Sequence, residues 1–83
     1  MNKLYTCAIK KELSRDIKGD ISVHTIGDML VIDIVPIEGL AWRYTLNKLS
    51  QQMRLGMTGK IIADEVYEEY MRFILSEYFY CNH

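Results

Sequence analysis

Six of the nine aromatic residues of this chain fall within residues 67–80, on a segment that also carries Asp64, Glu65, Glu68, Glu69 and Glu77. Few folds accommodate that combination. At 100° per residue, Ile62, Ala63, Val66, Tyr70, Phe73 and Ile74 share one helical face, while Asp64, Glu65, Glu68, Glu69 and Arg72 share the other. The spacing predicts a long helix over residues 59–80, with its aromatic face on a sheet and its acidic face in water. Met71, Leu75 and Phe79, with Ile61 on the same side, form a second apolar stripe beyond the width that one sheet contact requires. Thr58 is placed to cap the helix start.

The preceding sequence supplies the sheet. Residues 21–26, 29–35 and 40–46 are β-rich runs of strand length. Gly27-Asp28 fits a two-residue hairpin turn, and residues 36–39 fit a longer corner in which Pro36 cannot donate to a ladder. In the third run Leu40, Trp42, Tyr44 and Leu46 alternate with Ala41, Arg43 and Thr45, which separates an apolar face from a polar one. The middle run is apolar almost throughout, interrupted only by Asp33. It is expected to be covered on one face and partly shielded on the other.

Before the sheet, Tyr5, Ile9, Leu13 and Ile17 recur every four residues, predicting a helix over residues 3–18 with Asn2 as cap and Gly19 as stop. After it, residues 48–55 suit a short helix, capped by Asn47 and ended by Gly56. The expected fold class is α+β: helix, three-stranded antiparallel sheet, short helix, long C-terminal helix (αβββαα). At 83 residues this is one domain, since domains commonly hold roughly 100 residues. With 49% hydrophobic residues and a single proline, the chain can bury enough apolar surface to order itself.

Composition restricts the function. No apolar run approaches the ~20 residues that span a bilayer, and residues 1–11 lack the apolar stretch of a secretory signal. A cytoplasmic protein with no membrane partner is expected. Cys7 and Cys81 stand near opposite ends, which is no disulfide framework, so reduced thiols are expected. Cys7, His24, Cys81 and His83 could together supply four zinc ligands, but only Cys81 and His83 are close in sequence. No serine or cysteine stands directly beside His24 in the sequence as a nucleophile for it to activate. There is no glycine-rich phosphate loop, no pair of active-site carboxylates and no His-x-x-x-His pattern. Neither an enzyme nor a cofactor is expected.

A net charge of −1 conceals blocks of +3 (residues 1–18), −4 (19–40), +4 (41–60) and −4 (61–83). Arg43, Lys48, Arg54 and Lys60 form the best basic region and define an alternative, a nucleic-acid-binding module. Residues 49–66 superficially resemble a helix-turn-helix, but the second helix would bring Asp64, Glu65, Glu68 and Glu69 close to phosphates. Double-stranded-RNA-binding domains share the order of helix, three strands and helix. They contact RNA through lysines at the start of the last helix, where this chain has Lys60 followed by carboxylates. Nucleic acid is therefore not the expected partner.

The stretch Leu49-Ser50-Gln51-Gln52-Met53-Arg54-Leu55-Gly56-Met57-Thr58, with Ile62-Ala63-Asp64-Glu65-Val66-Tyr67-Glu68-Glu69-Tyr70 and Phe73-Ile74-Leu75, resembles small accessory proteins of Gram-positive phages and integrative elements. Some phage proteins of this size and layout are anti-CRISPR inhibitors, which block a host defence nuclease by occupying its DNA-binding surface with acidic residues. The resemblance implies a protein partner and an inhibitory role. On the residues themselves, Asp64, Glu65, Glu68, Glu69, Met71, Leu75 and Phe79 are the candidate partner-binding set, the acids steering encounter and the apolar side chains supplying desolvation energy. A solvated helix face and a stripe covered by the first helix are the structural alternatives, and a homodimer through the long helix is a third.

Overall fold

The computed structural model describes the backbone of residues 2–81 and the side chains of residues 3–76. Its order is α1 (Asn2–Asp16), β1 (Gly19–Ile26), β2 (Met29–Pro36), β3 (Trp42–Leu46), α2 (Leu49–Arg54) and α3 (Gly59–Cys81). The α+β class and the expected element order both hold.

The strands form an antiparallel meander in the order β1-β2-β3, with Ile21 opposite Ile34 and Ile34 opposite Trp42. Because side chains alternate across a strand, one sheet face carries Ile21, Val23, Leu30, Ile32, Ile34, Trp42, Tyr44 and Leu46. All of these join one apolar cluster with Ile9 and Leu13 of α1, Ile17 just after it, and Ile62, Ala63, Val66 and Tyr70 of α3. Both helices therefore lie on the same side of the sheet. Among the described residues, no helix covers the opposite face. Its middle residue, Val31, is nonetheless buried, flanked by Met29 and Asp33 along its strand and by His24 and Thr45 across it. The partial shielding expected for β2 is thus provided by neighbouring side chains and not by another element.

The two long helices run parallel. A Cβ built on Gly59, at the start of α3, would meet Ala8 and Ile9 of α1. The Tyr5 hydroxyl donates to the Met57 carbonyl at 2.6 Å, just before that start. At the far end, Asp16 and Ile17 share a cleft with Tyr67, Tyr70, Met71 and Ile74. At 1.5 Å per residue, the 23 residues of α3 run well past the end of α1.

Four local expectations are corrected. Helix α1 ends at Asp16, and Gly19 is not its stop but the first residue of β1, at φ 149° against the Val35 carbonyl. Strand β3 begins at Trp42, leaving Leu40 and Ala41 in an exposed corner after Pro36. Asn47 does not cap α2. Lys48 holds the cap position in a left-handed conformation, and the cap hydrogen bonds come from the β1–β2 turn: Ser50 donates its N–H and its hydroxyl to the two Asp28 carboxylate oxygens, each at 2.9 Å. Ile74 is 37% exposed, because it lies where α3 begins to outrun its support. Thr58 does cap α3, accepting the Ile61 N–H on its hydroxyl at 3.2 Å.

Candidate functional site

Helix α3 presents its candidate residues in three directions. Asp64 and Glu68 point outward with Ile61 and Leu75, which are 46% and 52% exposed. Glu65 and Glu69 lean toward β3. Burial pushes the Tyr44 phenol above its ordinary range, and the Glu65 and Glu69 carboxylates nearby push it further. Arg72 donates to half-buried Glu69 at 2.8 Å, one helical turn away. Met71 turns in the third direction, packing against the core beside the end of α1.

The second apolar stripe is therefore divided. Met71 belongs to the domain's own packing, Leu75 and Ile61 face solvent, and the Phe79 side chain lies outside the described residues. The four carboxylates form one continuous arc on the helix, with Asp64 and Glu68 at its outward end and Glu65 and Glu69 at the end nearer Tyr44 of β3.

The basic set is dispersed over three elements. Arg43 stands on the open sheet face, where its Nε and Nη2 donate to the Asp33 carboxylate at 2.6 and 3.3 Å. That hydrogen bond, with the guanidinium charge, holds Asp33 below the usual carboxylate range. Lys48 occupies the start of α2, Arg54 its last turn and Lys60 the first turn of α3, all exposed.

Two features escaped sequence reasoning. Trp42 is the centre of an aromatic cluster, with ring centroids 6.0 Å from Tyr44, 5.5 Å from Tyr70 and 6.3 Å from Phe73. Alternation placed Trp42 and Tyr44 on the inner face, and the expected sheet with the second run at its centre put their strand at an edge, but neither showed that Phe73 of α3 lies beside them. The second is a cleft of about 450 Å³ beneath the free portion of α3, lined by Ile17, Pro36, Ile37, Tyr67, Met71 and Ile74 among others. It arises from the difference in helix lengths.

Among the described residues, no group of three or more His, Cys, Asp or Glu side chains is placed to hold a metal ion. His83 and the Cys81 side chain, half of the arithmetical zinc set, lie outside them. No helix among the described residues is long and apolar enough to cross a membrane. Comparison of the chain with protein-family models, with curated proteins and with solved structures finds no match.

Proposed function

We propose that this chain is a non-enzymatic binding protein that presents the solvent side of α3 to a protein partner with a cationic surface. The observation that carries this reading is the coexistence of exposed Ile61 and Leu75 with Asp64, Glu65 and Glu68 on a helix whose other side already fills the core. Adjacent apolar and charged groups that the fold does not use suit a contact in which charge guides approach and apolar area excludes water. The nucleic-acid channel of a nuclease is a cationic surface of this kind. The resemblance of residues 47–80 to phage and mobile-element accessory proteins favours an inhibitor that occupies it, in the manner of an anti-CRISPR protein.

Charge reversal tests the proposal. Tagged wild-type protein and the Glu65→Lys/Glu68→Lys variant are used to retrieve partners from the native host, with thermal melting as the control for folding. A specific protein retained by the wild type and lost from an equally stable variant is expected; equal retention by both removes this side of α3 from consideration. A second copy of the chain as the partner predicts instead a doubled mass in light scattering that Leu75→Glu abolishes.

A further inference from the structure

Strand β3 is an edge of the sheet: β2 is its only neighbour, and among the described residues no backbone hydrogen bond joins it to anything else. In an antiparallel ladder, alternate residues of such a strand aim N–H and C=O groups away from the sheet, toward whatever lies beside it. Natural edges are commonly blocked by a charge aimed inward, a proline, a bulge or a covering element. Residues 42–46 carry no proline, and their one charge, Arg43, is engaged with Asp33 on the open face.

The helix side of this edge combines aromatic and acidic side chains. Half-buried Trp42, Tyr44 and Phe73 line it, and Glu65 and Glu69 of α3, two turns and one turn before Phe73, lie near enough to Tyr44 to act on its phenol. We infer that the β3 edge receives an extended partner segment as a fourth strand, with basic side chains at alternate positions directed toward Trp42, Tyr44, Glu65 and Glu69. The inference rests on the preceding proposal of a cationic protein partner and specifies how that partner is held.

The chemistry is complementary at each level. Backbone pairing with the free edge fixes an extended segment, and the period of two in a strand sends every second side chain to the helix side. Arginine suits that side because its guanidinium can stack on an indole or phenol ring while pairing with a carboxylate. Charge also argues against a second copy of the chain. Two β3 edges paired about a two-fold axis would set Glu65 and Glu69 facing their counterparts, with Arg72 offsetting only one of the two carboxylates in each chain.

The probe is a short capped peptide alternating arginine and threonine, titrated into isotope-labelled protein and followed by amide chemical shifts and by fluorescence anisotropy. Shifts are expected at residues 42–46, 65, 69 and 73. Glu65→Gln/Glu69→Gln, two surface changes that leave the core intact, should weaken binding at least about tenfold. Methylating either the arginine amides or the threonine amides of the peptide should abolish binding in one case and spare it in the other, since only one set faces β3. Equal binding of both methylated peptides would mean attraction by charge alone and would overturn the inference. So would an absence of binding, or a dimer of the free protein joined through residues 42–46. Shifts confined to Asp64, Glu68 and Leu75 would remove the edge while leaving the broader role of α3 intact.

Discussion

At Gly19 a Cβ would run into the Val35 carbonyl oxygen and the Pro36 Cα, and the φ of 149° already disfavours any L side chain. Gly19→Ala should therefore destabilise by more than the ~1 kcal/mol normally separating these residues, measurable as a lower denaturant midpoint. Asp28 presents the opposite case, a residue whose importance is chemical. Its carboxylate accepts two hydrogen bonds from Ser50, so Asp28→Ala should cost about 1 kcal/mol, typical of a lost helix cap, although 22 residues separate the partners. Asp33 and Arg43 set an acid-side dependence. Because the folded state lowers the Asp33 pKa, chiefly through the Arg43 hydrogen bond, its contribution is present above the ordinary carboxylate value of ~3.9 and is lost as pH falls through the lower folded value. The stability difference between wild type and Arg43→Gln should be small at neutral pH, since the pair is largely solvent-exposed, and should vanish on acidification.

At the scale of elements, α1 and α3 are held by different means. Helix α1 depends on a narrow line of side chains, with Ile9 and Leu13, and Ile17 just past its end, all buried on the side that meets β1 and α3. Ile9→Ala should cost about 2–5 kcal/mol by cavity formation, whereas Leu75→Ala, on the exposed portion of α3, should change stability by less than about 0.5 kcal/mol. Parallel urea titrations of the two variants check the contrast. Helix α2 is short and gains little from burial, contributing only Leu49 to the core. Its ends carry more of the load. Asp28 closes the start, and at the finish Met57 N–H bonds to Gln52 C=O and Gly56 N–H to Met53 C=O, a Schellman arrangement made possible by Gly56 at φ 93°.

Across the whole molecule, three tyrosines link the core to alkaline stability. Burial raises the pKa of Tyr5, Tyr44 and Tyr70, with Glu65 and Glu69 adding to the effect at Tyr44. The folded state favours the neutral phenol, so the associated stability is fully present below the unfolded tyrosine value of ~10 and disappears as pH rises through the higher folded values. Tyrosinate absorbance should therefore include a late phase coincident with loss of helical circular dichroism. A titration complete before unfolding begins would contradict this assignment of burial. The core is closed on the helix side of the sheet, while among the described residues β3 has β2 as its one sheet neighbour and the outward side of α3 exposes Ile61 and Leu75.

Periodicity alone determined the element types and much of the core, because a helix that covers a sheet must repeat its apolar residues near 3.6 and a strand near two. Ile9, Leu13 and Ile17, the inner residues of β3, and Ile62, Ala63, Val66 and Tyr70 were all legible in that way. The acidic side of α3 was legible as a side, but not which end of it meets β3. Tertiary structure decided what depends on distant partners: Asp28 capping α2, Glu65 and Glu69 leaning over Tyr44, Met71 packing inward while Leu75 does not. A one-dimensional pattern specifies which side chains share a face. Which neighbour that face meets, and where a helix runs beyond it, is fixed only when elements far apart in sequence are brought into contact.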